Sequence, residues 1–105
     1  MPSQSKPLAV FVVEKIGWRQ GLRALSFLAA WGIASERVGH PVTMQEYTDF
    51  WGQSLATSYK ERDAFALVWP DEVKTPGVVW DKVKRQVKER DSRAVAAAEV
   101  LAVKW

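Results

Sequence analysis

The segment from Gln20 to Val38 sets the folding problem for this chain. Leu22, Leu25, Leu28, Ala29, Gly32 and Ile33 fall at helical spacing. Phe27, Trp31 and Val38 widen that stripe, so the helix is apolar on most of its circumference. Such a helix is stable only when other elements cover it on several sides. The rest of the 105 residues must supply that cover, and this length is one domain's worth of chain. Gly39 suits the position just past the helix, and Pro41 prevents continuation. His40, in the same corner, reads as a surface turn residue.

Composition narrows the chemistry. Cysteine is absent and His40 is the only histidine. Disulfide scaffolds, thiolate zinc sites, iron–sulfur clusters and cysteine nucleophiles are therefore excluded, and the usual zinc ligand set cannot be built. Little material remains for general-base chemistry near neutral pH. Glu46 and Asp49 lie three apart on one predicted helix, but no nucleophile, phosphate loop or metal cluster accompanies them. The expectation is a non-enzyme with no cofactor, no metal and no small-molecule ligand evident. The most apolar run, Ala24 to Ala34, covers eleven residues, well short of the roughly 20 that a bilayer requires. No membrane partner is expected, no signal peptide is evident, and the reading is cytoplasmic.

The remaining elements also read as helical, so the expected fold class is mainly α: a helical bundle forming one domain over residues 8–105. Residues 1–7 read as a disordered tail. Leu8 to Val13 is ambiguous. Its β-branched residues favour a short N-terminal strand, while its length also suits the first turns of a helix to Ile16, the reading favoured by the helical remainder. Thr43 with Glu46 three residues later is a capping box that opens a helix. Met44, Tyr47, Phe50 and Trp51 form its apolar face. Gly52-Gln53 breaks it, and Ser54 caps a further helix through Leu55, Tyr59 and Phe65 to about Trp69. Pro70-Asp71-Glu72 reads as a turn. Thr75-Pro76 starts a last helix, running to Trp105 either unbroken or with a pause near Asp91-Ser92. Six tryptophans, at 18, 31, 51, 69, 80 and 105, read first as core and interface anchors.

Residues 43–69 thus spell helix, short glycine-containing turn, helix. In a helix-turn-helix the first helix crosses the DNA backbone and the second enters the major groove. Tyr47, Phe50, Trp51, Ser54, Thr57, Tyr59 and Lys60, followed by Phe65, Trp69-Pro70 and Thr75-Pro76, resemble the pattern of small helix-turn-helix DNA-binding proteins of the actinobacterial and phage type. The resemblance covers about Ala24 to Val79. It implies a transcription regulator, bacterial or phage, whose Ser54, Thr57 and Lys60 face DNA or its phosphates. The full predicted DNA face is Ser54, Leu55, Ala56, Thr57, Ser58, Tyr59, Lys60 and Arg62.

Two features pull the other way. Leu55-Ala56 stands where basic residues often follow the turn serine, although both could meet thymine methyl groups. From Thr43 to Phe65, two cations stand against four carboxylates, a net of −2, a poor match to a polyanion. The positive charge lies in Asp81 to Arg93, where six cations outweigh three carboxylates. The plain explanation is the solvated face of an amphipathic helix. The functional one is a set of phosphate contacts, with Thr43, Lys82, Arg85 and Lys88 as candidates. Trp80, Val87, Ala94 and Leu101 recur every seven residues, a weak heptad through which the last helix could form a homodimer. Packing on the chain's own core is the competing explanation. The leading expectation is a sequence-specific regulator binding double-stranded DNA; the alternative is a small helical adaptor that binds a protein partner without DNA.

Overall fold

From Phe27 to Ala34 every residue of the long helix is buried, so no face of that stretch is left to solvent. The structure, a computed structural model, describes residues 6–105. Six α-helices run in the order α1 (Leu8–Ile16), α2 (Trp18–Val38), α3 (Met44–Trp51), α4 (Leu55–Val68), α5 (Gly77–Val83) and α6 (Arg93–Leu101), with a 3₁₀ turn at Pro70–Glu72. The other five helices all pack against α2. The apolar circumference thus dictates a bundle with α2 as its axis. No helix among the described residues is long and apolar enough to cross a membrane.

Leu8 to Val13, ambiguous in sequence, is helical. Leu8 and Val12, one turn apart, are fully buried, and this packing overrides the β preference of the valines. Pro7 forms an isolated antiparallel bridge with Lys104. The Leu8 amide donates to Val103 O at 2.7 Å, and the Trp105 amide to Lys6 O at 3.0 Å. Lys6 and Pro7, placed by sequence in a disordered tail, are therefore tied to the C-terminus; the rest of that expected tail, residues 1–5, lies outside the described residues. Gly17, at φ 84°, turns the chain from α1 into α2.

The helix expected from Pro76 to Trp105 is not continuous. α5 ends at Val83, Lys84–Gln86 form a turn, and residues 87–90 lack helical structure before α6 begins at Arg93. Ser92 caps α6 by accepting from the Val95 amide, near the predicted pause. The break itself comes eight residues earlier, and side chains from elsewhere hold it. Gln86 donates to Lys104 O and accepts from Lys104 N at 3.0 and 2.9 Å. The Glu99 carboxylate accepts from the Lys88 and Glu89 amides. The heptad is lost with the helix: Trp80 lies on α5, Val87 in the connection, and Ala94 is exposed on α6. Val100 of α6 and Val103 just after it are buried in the chain's own core.

Trp31, Trp69 and Trp80 are buried as anchors, while Trp51 and Trp105 are half-buried. Trp18 departs from the expectation at 65% exposure. Trp80 lies against Gly32, where an added Cβ would overlap the indole. Its Nε1 donates to Glu36 at 3.1 Å. Gly32→Ala should lower the melting temperature although alanine is the better helix former by about 1 kcal/mol. Overpacking typically costs about 1–3 kcal/mol. Trp80→Phe in the same background should recover part of the loss. A Gly32→Ala protein melting at or above wild type would mean that the ring is not seated there.

Candidate nucleic-acid interface

α3 and α4 are joined by three residues, and each junction is chemically specified. Thr43 Oγ1 accepts from the Glu46 amide at 3.2 Å, and Glu46 Oε1 accepts from the Thr43 amide at 2.9 Å. That amide holds the Glu46 pKa below its ordinary value; desolvation opposes it, and the nearby His40 ring adds a lesser lowering. Gly52, at φ 62° and ψ 37°, adopts the left-handed conformation that closes α3. Ser54 then caps α4 by accepting from the Thr57 amide at 3.1 Å. The sequence-predicted helix, turn and helix are present at the predicted junctions.

Behind the turn lies a polar cluster joining four helices. Glu61, 9% exposed, accepts from Tyr47 Oη at 2.8 Å and Gln53 Nε2 at 2.9 Å on one carboxylate oxygen. Its other oxygen accepts from Arg93 Nη2. Arg93 also donates to Gln53 Oε1 at 2.9 Å and to Ser26 Oγ of α2. Its guanidinium sits 5.4 Å from the Trp51 ring, and the Trp51 indole donates to Ala30 O. Ser58, fully buried, accepts from Thr48 Oγ1 at 2.7 Å and Gln53 Nε2 at 2.9 Å. Buried polar groups joined this completely fix one arrangement of the helices.

This cluster decides which predicted contacts can reach a ligand. Leu55 (46% exposed), Ala56, Thr57, Tyr59 (39% exposed) and Lys60 face outward on α4. Ser54 is exposed, with its hydroxyl engaged in the cap. Arg62 is half-buried, its guanidinium 5.3 Å from the Tyr59 ring. Ser58 must be removed from the predicted DNA face: it lies three residues before Glu61, on the side turned to α3. Thr43 is exposed at the start of α3. Lys82, Arg85 and Lys88 are exposed but do not share a helix; they lie on α5, in the turn after it and in the connection. Lys84 pairs with Asp81 and Arg90 with Glu36, whereas Lys82, Arg85 and Lys88 have no ion-pair partner among the described residues. Among those residues, no group of three or more His, Cys, Asp or Glu side chains could hold a metal ion.

The acidity of the unit also changes meaning in three dimensions. Glu61 is paired internally with Arg93, and Glu46 is turned back onto the Thr43 cap. Asp49 accepts from Gln45. In sequence Arg93 belongs to a basic run and Gln53 to a helix break, and no local pattern links either to Glu61. A charged residue at the inward helical position, between Ser58 and Phe65, is the one signal that could have exposed the cluster. Compared with known proteins, the chain matches no family model, no curated sequence and no solved structure.

Two outcomes follow for the cluster. Arg93→Met leaves Glu61 without its cation and should destabilise the fold by about 3–5 kcal/mol, as for other broken buried pairs. Glu61→Gln with Arg93→Met should cost less than the sum of the single changes; strict additivity in urea unfolding would mean that the residues are uncoupled. Burial pushes the Tyr47 pKa well above its ordinary value, with the Glu61 carboxylate reinforcing the shift and Arg93 opposing it. The folded state therefore keeps a proton that the unfolded chain releases above about pH 10. The corresponding stability is complete below that pH and is lost as pH rises further. Urea midpoints at pH 8 and pH 11 should fall more steeply for wild type than for Tyr47→Phe.

Proposed function

We propose that the chain is a DNA-binding regulator whose α4 enters the major groove while α3 crosses the backbone. The observation that supports this is the α3–turn–α4 unit: eight residues, a left-handed glycine, a serine cap and a second helix whose first turns present Leu55, Ala56, Thr57, Tyr59 and Lys60 to solvent. Ser54, Thr57, Lys60 and Arg62 supply polar contacts, and Leu55 and Ala56 suit thymine methyls. Thr43, Lys82, Arg85 and Lys88 are the proposed phosphate contacts. A homodimer through α6, where Val95 is 40% exposed, would present two such units to paired half-sites. A DNA partner goes with a cytoplasmic location.

One observation favours the adaptor reading. Leu55 and Tyr59 are one turn apart and both substantially exposed, the spacing of anchors used when a helix binds a protein groove. Gel shifts on the chain's own upstream DNA, at low and moderate salt, separate the two readings. Lys60→Ala should weaken specific binding by about one to two decades, the value of a charge-assisted contact of roughly 1.5–3 kcal/mol. Arg85→Glu with Lys88→Glu should weaken binding to all sequences alike and flatten its salt dependence. A folded Leu55→Glu protein that still shifts its operator normally would remove α4 from the interface. Loss of a protein complex in that variant, with no tight binding of any duplex by wild type, would establish the adaptor.

A further inference from the structure

Between the C-terminal half of α2 and the segment entering α5, the surface opens into a cleft of about 620 Å³. That lies within the roughly 300–1,000 Å³ of pockets that hold small ligands. Trp31, Val42, Met44, Val73, Pro76 and Val78 give it apolar walls. Gly77 lines it beside Trp31, and a Cβ there would stand in ordinary contact with that ring at 3.5 Å. A second cleft of about 400 Å³ shares Trp31, Pro41, Gly77 and Asp81 with it, so an elongated occupant has room to continue.

The charges around the first cleft are unequal. Arg62 of α4 and Lys74 line it, and neither has an ion-pair partner among the described residues. Asp81 is the carboxylate in its lining, and it is already 3.1 Å from Lys84. We propose that this cleft binds a small amphipathic anion: an apolar body seated against Trp31, Met44 and Val78, with a carboxylate or similar headgroup held by Arg62 and Lys74. An anion there gains charge-assisted hydrogen bonds from these cations. A neutral apolar molecule gains only the walls, and a cation is repelled at the rim. The site stands on its own lining, of which Arg62 and Thr43 are shared with the proposed DNA-contacting residues.

Sodium decanoate, with decyltrimethylammonium as its cationic counterpart, tests the assignment through methyl NMR of Met44, Val42, Val73 and Val78. Decanoate should shift these methyls saturably below its micellar concentration. Arg62→Glu with Lys74→Glu, neither residue being in the buried core, should weaken decanoate by about tenfold or more and strengthen the cationic probe, a reversal that a purely apolar site would not show. Circular dichroism checks the variant's fold. Should it not fold, Lys74→Glu alone, at an exposed position, is expected to weaken decanoate several-fold. The absence of saturable shifts in wild type, or an affinity unchanged by charge reversal in a folded variant, would overturn the proposal.

Discussion

The Glu61–Arg93 pair holds the α3–α4 unit to the rest of the molecule. A carboxylate this far from water is costly unless its lone pairs are satisfied. Glu61 gathers Tyr47 from α3, Gln53 from the turn and Arg93 from the start of α6. Arg93 reaches on to Ser26 of α2. One ion pair therefore brings together the axis of the bundle, both arms of the proposed reading unit and the C-terminal helix. Apolar packing alone tolerates small slides between helices; this set of directional bonds permits one register. The non-helical connection before α6 acquires a purpose as well, since it delivers Arg93 to the inner side of the turn.

The local chemistry of the elements was legible in the sequence where it is carried by neighbours in the chain. Thr43 with Glu46, Gly52 and Ser54 mark junctions set by side chains within three residues of the backbone groups they satisfy. The central role of α2 was legible for a similar reason, because a helix apolar all round leaves few alternatives. The break after Val83 was not. Residues 84–90 contain neither glycine nor proline, and the bonds that hold them open come from Gln86 to Lys104 and from Glu99. Those pairings span 10 to 18 positions, beyond what periodicity or capping rules can sense. The seven-residue recurrence joins residues with different fates: Trp80 and Val87 enter the core, Leu101 packs against it, and Ala94 is exposed.

The candidate interface was half legible. Its location follows from the turn, but the orientation of α4 does not, because this helix inverts the usual pattern. Its inward side carries Ser58 and Glu61 beside Phe65 and Val68, while Leu55, Tyr59 and Leu67 look outward. A reader of periodicity places the polar residues outside, which is how Ser58 was assigned to the DNA face.

That inversion bears on function. A helix needed only for packing would place Leu55 and Tyr59 inward and leave no charge to be matched from another element. Departures from binary patterning concentrate where a surface serves a partner, and exposed large side chains are more informative when they share a helix face. Lys60 is also exposed on α4, whose buried side is fastened by Glu61. Rigid fastening behind and chemical variety in front are what groove recognition requires, since side chains must meet base edges without the helix shifting beneath them. The same polar cluster that costs the core a buried charge thus fixes the direction in which α4 presents Leu55, Tyr59 and Lys60.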